Sequence, residues 1–267
     1  MSSPAIETIN RKDAMTACPV CSTDADKRIA GTPYIECPTC ALWFQSPLPP
    51  KVFQAPTEYD LAGMPEGDRA VNRDLAARLF DTVMGGRSGH TLDIGAKHPV
   101  LASALADRGC VAFAIDGVMP SPEPGVICDQ QDFETFAPTD AAGKYRLITM
   151  IHVFEHMYDP LAALRKLRAL VEEDGRVFLR LPDHRVPGIE RDLTAHHFTI
   201  HPYVHCLTSL LEALAQVRRD LGPVVLGGDR LHHAARRLQR TRAGGVAVLR
   251  HQRGHQAGTR RAARMER

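Results

Sequence analysis

The sequence of 267 residues contains no apolar run approaching the roughly 20 residues that a membrane-spanning helix needs. Its first stretch, MSSPAIETINRKDAMT, lacks the apolar core of a secretory signal. No G-x-G-x-x-G follows any strand-like segment, and no internal repeat is present. Aromatic residues stop after Tyr203, and residues 217–267 contain no lysine. These absences exclude a helical membrane protein and argue against a dinucleotide site. They leave a cytoplasmic protein as the expectation, in a compartment where cysteines are more often metal ligands than disulfides.

Hydrophobic residues make up 44% of the chain and charged residues 24%, values ordinary for a globular protein. The net charge of +2 hides an asymmetry. Residues 217–267 hold 13 of the 33 basic residues, all arginine, and three of the 31 acidic ones, leaving 20 basic and 28 acidic residues before them. An acidic body is a poor platform for nucleic acid.

Five segments are expected: a loose leader over 1–16, a zinc ribbon over 17–60, a connecting helix over 61–88, a Rossmann-like domain over 89–215 and an atypical Arg-rich tail over 216–267. In the connecting helix Val71, Leu75, Leu79 and Val83 recur every four residues beside Phe80, and Gly85-Gly86 ends it. Strands are expected at Thr91–Gly95, Cys110–Asp116, Gly125–Cys128, Tyr145–Val153 and Arg176–Leu181, with a helix through LASALADRG after the first. Between the last two strands, Asp159 caps a helix, Pro160 suits its first turn, Leu161, Leu164, Leu167 and Leu170 form its inner stripe, and Gly175 ends it. Such βα alternation predicts an α/β fold with a mostly parallel sheet and helices on both faces.

Cys18-Pro-Val-Cys21 and Cys37-Pro-Thr-Cys40 make two C-x-x-C pairs at a spacing that suits tetrahedral zinc. Four thiolates would close the coordination shell, so the ion would be structural. Cys110, Cys128 and Cys206 lie in apolar contexts and read as packing residues.

Ligands of doubly wound folds bind at the carboxyl ends of the strands. There Gly95 permits a tight turn, Asp116 ends the second strand 21 residues later, and Asp129 follows the third. A carboxylate at Asp116 can accept both ribose hydroxyls of an adenosine cofactor. The first loop, GAKHPV, has a single glycine and no seat for a pyrophosphate.

LDIGAKHPVL, AIDG, ICDQQDF and YRLITMIHVFEHMYDPLAALRKLRALVEEDGRVFLRLPDH resemble successive motifs of class I S-adenosylmethionine-dependent methyltransferases. The CPVC…CPTC…YD leader resembles zinc ribbons that precede such domains. The resemblance spans roughly residues 17–214. It implies that Asp93 and Gly95 hold the methionine portion of S-adenosylmethionine, Asp116 the ribose, and Asp129 and Gln130 the adenine. It also implies contact with the cofactor at Ile151 and His152. The family's first loop has three glycines, and here the later two positions are Lys97 and Pro99. If Lys97 must take a positive φ, the strain is of order 1 kcal/mol. Beyond residue 215 the resemblance implies a β-hairpin closing the sheet. The abrupt turn to arginine suggests an ending that is not native, for instance through a shifted reading frame.

His152-x-x-Glu155-His156 matches a zinc-peptidase motif that works only on a helix, whereas here it begins at a strand end. A divalent ion held by these three residues with a later histidine is the alternative. His184, His196, His197, His201 and His205 crowd into 22 residues after the fifth strand. A neutral imidazole suits proton removal from an acceptor near pH 7, and His156 and His197 are the candidate catalytic pair. Solvated or helix-capping roles remain the alternative for each. The function expected is methyl transfer to oxygen or carbon of a small molecule such as a sugar or natural-product intermediate. An RNA methyltransferase using ribbon and tail, or an impaired scaffold, are the alternatives.

Overall fold

The structure is a computed structural model that describes residues 16–53, 63–137, 144–185, 193 and 195–217, together with the backbone of 245–250. No helix among them is long and apolar enough to cross a membrane.

The amino-terminal module has two small antiparallel pairings. Strand β1 (Thr16–Ala17) pairs with β2 (Asp24–Ala25), and β3 (Tyr34–Glu36) pairs with β4 (Trp43–Gln45). Helix α1 (Glu66–Arg78) follows and opens into a single π turn over Leu79–Val83. Gly85 and Gly86 then adopt φ of +65° and +69°, and the Gly86 amide reaches back to the Phe80 carbonyl at 2.9 Å. That is the left-handed ending that glycine allows. Leu75, Ala76 and Leu79 are buried while Val71 is 55% exposed. The expected stripe fails at Val71 because a step of four residues gains about 40° on a 3.6-residue turn.

Six parallel strands form the central sheet in the order β11-β9-β8-β5-β6-β7. They are β5 (His90–Ile94), β6 (Val111–Asp116), β7 (Val126–Gln130), β8 (Tyr145–Ile151), β9 (Val171–Leu181) and β11 (Gly245–Arg250). The short β10 (Tyr203–Val204) belongs elsewhere. Side chains alternate across the sheet. Leu147, Ile151 and Phe178 face α1 and helix α2 (Val100–Ala106). Ile148, Met150, Val177 and Leu179 face the opposite layer, α3 (Pro160–Leu170) and α5 (Leu207–Val217). Burial on both faces explains why these strands read as continuous apolar runs.

Asp159 caps α3 as expected, its Oδ1 accepting from the Ala162 amide at 2.8 Å. Gly175 does not end that helix. The helix stops at Leu170, Val171 is already extended, and the pairing of β8 with β9 shifts register between Tyr145 and Leu147. The extra residues make a bulge. A Cβ on Gly175 would lie 2.8 Å from the Tyr145 carbonyl, so glycine answers a close backbone approach. Beyond α5, β11 runs parallel to β9, with Gly245 opposite Arg176. Most of the stretch expected to form the closing hairpin lies outside the described residues, as do residues 1–15 of the leader.

The histidine-rich segment after β9 is joined to the amino-terminal module. Strand β10 adds antiparallel to β4, giving the sheet order β10-β4-β3. The Tyr34 hydroxyl donates to the His201 carbonyl at 2.9 Å, and Gln45 Nε2 donates to the Phe198 and His201 carbonyls at 2.7 and 3.0 Å. Trp43 stacks on His184 with ring centroids 4.3 Å apart. Short helix α4 (Ala195–Ile200) carries His196 and His197.

Candidate functional site

A cleft of about 220 Å³ opens at the carboxyl ends of β5, β6 and β8. Its floor is the turn after β5. Gly95 has φ +72°, and a Cβ there would come within 2.1 Å of a Val153 methyl, so two constraints require glycine. The amides of Gly95 and Ala96 both reach the Ile115 carbonyl, at 2.8 and 3.2 Å. Lys97 lines the cleft without a positive φ, so the strain expected there does not arise. Pro99 stands immediately before α2, where its fixed φ is accommodated.

Asp116 ends β6 at the cleft, and its Oδ1 accepts from the Val118 amide at 3.0 Å. That bond orients the carboxylate. Of the other residues expected on the cofactor, Gly95 and His152 line the cleft. Asp93 lies buried behind it, accepting from Thr149 Oγ1 at 2.6 Å. Burial pushes its carboxyl up to about 7. Ile151 packs into the core, facing α1 and α2. Asp129 and Gln130 are exposed and outside the cleft lining, because β7 runs two residues further than its apolar pattern suggests. The loop begins instead at Gln131, and Gln131, Asp132 and Phe133 form that rim.

One wall escaped the sequence reading. The segment Lys51–Phe53, just after the amino-terminal module, lies across the cleft. The Phe53 ring packs so closely on Gly117 that a Cβ there would fall 2.0 Å from it. Lys51 Nζ lies 2.5 Å from both Asp132 and Glu134. Glu134 in turn accepts from the amides of Tyr158 and Asp159 at 2.9 and 3.0 Å. Only the fold brings these residues together, and no motif announces them.

The H-x-x-E-H motif occupies the end of β8 and one 3-10 turn, Phe154–His156, not the helix a peptidase needs. His152 takes φ +56°, a left-handed conformation that costs a non-glycine residue of order 1 kcal/mol. Glu155 turns inward and is 2% exposed, with Oε1 3.6 Å from His152 Nδ1 and no hydrogen-bond partner for Oε2. Burial pushes its carboxyl up, but His152, His156 and His201 outweigh burial and hold it below the usual range. His156 lines the cleft, and its Nδ1 lies 2.9 Å from the Ile200 carbonyl. His197 lines a second, smaller cavity of about 80 Å³ with Glu155, His201 and His205. The two candidate catalytic histidines thus border different cavities, with His201 between them at ring-centroid distances of 4.6 and 5.2 Å.

The four cysteines of the amino-terminal module converge, with Cys18 and Cys40 sulfurs 3.6 Å apart and Cys21 and Cys37 sulfurs 3.4 Å apart. Zinc–sulfur bonds of about 2.3 Å in a tetrahedron require sulfurs about 3.8 Å apart, so the cluster fits that ion. The two knuckles repeat one geometry. Ser22 and Ala41, each following its second cysteine, take φ of 59° and 57°. Each donates its amide to the carbonyl of the first cysteine at 2.9 Å. A hydrogen bond from Cys40 holds Cys18 down to about 5, and the same bond pushes Cys40 up. Four thiolates this close would repel one another, and a divalent cation would offset that repulsion.

A family profile described as "Methyltransferase domain" matches residues 65–244, more than half of the chain. A ubiquinone biosynthesis O-methyltransferase of Pseudomonas aeruginosa (strain LESB58) is 29% identical over 163 residues, covering 57% of this chain and 67% of that protein. The enzyme of the same description from Histophilus somni (strain 2336) is 31% identical over 100 residues, covering 33% and 42%. Among solved structures, the Burkholderia thailandensis 1,6-didemethyltoxoflavin-N1-methyltransferase with bound 1,6-didemethyltoxoflavin and S-adenosylhomocysteine has a TM-score of 0.42. It is 16% identical over 72% of this chain and 86% of that one.

Proposed function

The chain belongs to the class I S-adenosylmethionine-dependent methyltransferases, and from that premise we propose that it methylates a hydroxyl oxygen of a small molecule. The observation that carries this reading is the cleft at the strand ends, where Gly95 and Asp116 face His152 and His156. In our reading Asp116 accepts from the ribose hydroxyls. Gly95 leaves room for the methionine portion, and Gln131 to Phe133 border the adenine. The curated relatives are ubiquinone biosynthesis O-methyltransferases, which favours oxygen in a small aromatic acceptor. The RNA reading needs the ribbon together with a tail that lies largely outside the described residues, and nothing among the described residues supports it.

The bound cofactor supplies an already activated methyl group. This chain's part is to hold the acceptor oxygen in line with that methyl and to remove its proton. The acceptor O–H bond breaks, the new O–CH3 bond forms as the sulfonium S–CH3 bond breaks, and the proton passes to an imidazole. We assign the proton to an imidazole of the cleft wall, His152 or His156, because His197 borders the smaller cavity instead. The four cysteines are assigned a structural zinc that holds the module against the histidine segment.

Formation of S-adenosylhomocysteine from S-adenosylmethionine, measured across a panel of hydroxylated aromatic acceptors, tests the assignment. Turnover with a phenol or catechol is expected, and its dependence on the cleft histidines, His152 and His156, should appear in kcat. Cofactor binding without turnover on any hydroxylated acceptor would overturn the acceptor class.

A further inference from the structure

We propose that Glu155, His156 and His201 form a second metal site, for a divalent transition-metal ion, in the wall between the cofactor cleft and the smaller cavity. One ligand atom from each of the three residues lies within 4.8 Å of the others. Two imidazoles and one carboxylate form a donor set suited to ions such as Mn(II), Fe(II) or Zn(II). Three protein ligands leave coordination positions open, unlike the four-cysteine cluster.

Two further observations point to a ligand. Glu155 is 2% exposed, and its Oε2 has no hydrogen-bond partner. A buried carboxylate oxygen without a partner is costly unless a cation meets it. The ring of His156 is set to bind such a cation. Its Nδ1 faces the Ile200 carbonyl at 2.9 Å, and a carbonyl can only accept. The proton must therefore sit on Nδ1, leaving the Nε2 lone pair for an ion. Donation of the other ring nitrogen to a backbone carbonyl is the usual way of orienting a histidine ligand.

His152 is not among the three ligands, although the H-x-x-E-H pattern points to it. Its side chain is 43% exposed, and its Nδ1 is 3.6 Å from Glu155. The third donor comes instead from His201, 45 residues beyond His156 in the chain and held by Tyr34 and Gln45 through its carbonyl. Resting on the methyltransferase reading, the site's use is to bind the oxygen of the acceptor, with an adjacent second oxygen favoured by the open positions. The ion would lower the pKa of that hydroxyl, and the proton would pass to His152, the cleft imidazole that does not bind the ion.

The test uses the full chain, loaded first with one equivalent of zinc to fill the cysteine cluster. It is then titrated with Mn(II), and the loss of the free-ion signal is followed by electron paramagnetic resonance. One Mn(II) per chain is expected, with nitrogen couplings from imidazole in the bound signal. Glu155→Gln and His201→Gln should each weaken binding more than about tenfold. Zinc content and S-adenosylhomocysteine affinity, measured on the same samples, should be retained. If a variant fails to fold, the nitrogen couplings of the unaltered protein still decide. No Mn(II) uptake, or bound Mn(II) without imidazole nitrogen, overturns the site. A chain that binds S-adenosylhomocysteine but no Mn(II) loses this site and keeps the methyltransferase reading, whereas the reverse pattern sinks the reading and spares the site.

Discussion

Among the described residues two clusters of side chains could hold a metal ion, and they are built in opposite ways. Cys18, Cys21, Cys37 and Cys40 come from two short knuckles, bring four like donors and would leave an ion no open position. Glu155 and His156 come from a strand-end turn and His201 from just beyond helix α4, and together they bring three mixed donors and border two cavities. A closed shell holds structure, and an open one is placed to meet a substrate. The two are joined, because the module around the cysteines fixes the His201 carbonyl through Tyr34 and Gln45. Disturbing the first cluster should therefore disturb the second, while the reverse effect should be small.

The largest expected effect breaks the comparison at its closed end. Chelating zinc, or making Cys37→Ser, removes metal-linked folding energy on the order of 10 kcal/mol. Circular dichroism and thermal unfolding should show the module melting, and Mn(II) uptake should fall with it. If the second site survived intact, the clusters would be independent. Next in size is the cleft floor. Gly95→Ala sets a Cβ 2.1 Å from Val153 at a positive φ, so stability should fall by about 2 kcal/mol or more. S-adenosylhomocysteine binding, read by calorimetry, should weaken by more than tenfold.

A third prediction concerns pH. The carboxyl of Asp93 is raised by burial to about 7, against about 3.9 in an unfolded chain. Between those values the folded protein keeps a proton that the unfolded chain has released. Stability of the cofactor-free protein should thus be highest below about pH 4 for this group, and fall as pH rises to about 7. Denaturant unfolding of Asp93→Asn should lose that slope. The smallest effect compares like with like. Ala41 and His152 share a left-handed backbone, with φ of 57° and 56°. Ala41→Gly and His152→Gly should each relieve strain of order 1 kcal/mol, partly offset by the entropy of glycine. Only His152→Gly should also weaken cofactor binding, because that side chain lines the cleft.

The same contrast explains what the sequence makes legible. The C-x-x-C pairs announce themselves because each knuckle is complete within five residues. The parallel sheet is legible for a similar reason: burial on both faces writes strands such as YRLITMI as unbroken apolar runs. Gly95 and Asp116 follow from strand ends, and the structure places both in the cleft. Asp129 and Gln130 lie on β7 and outside the cleft lining, because polar residues can extend an edge strand whose apolar pattern has already stopped. Gly175 misled because a bulge and a helix end both ask for glycine. Phe53 and Lys51 reach the cleft, and His201 joins Glu155, only through long-range contacts that no local pattern encodes.

Every functional assignment rests on the cleft at the strand ends. Calorimetric titration of zinc-loaded protein with S-adenosylhomocysteine tests it most directly. Binding with a Kd on the order of 1 μM, about 8 kcal/mol, weakened more than tenfold by Asp116→Ala, is predicted. Absence of binding by folded protein, or binding indifferent to Asp116→Ala, would contradict it.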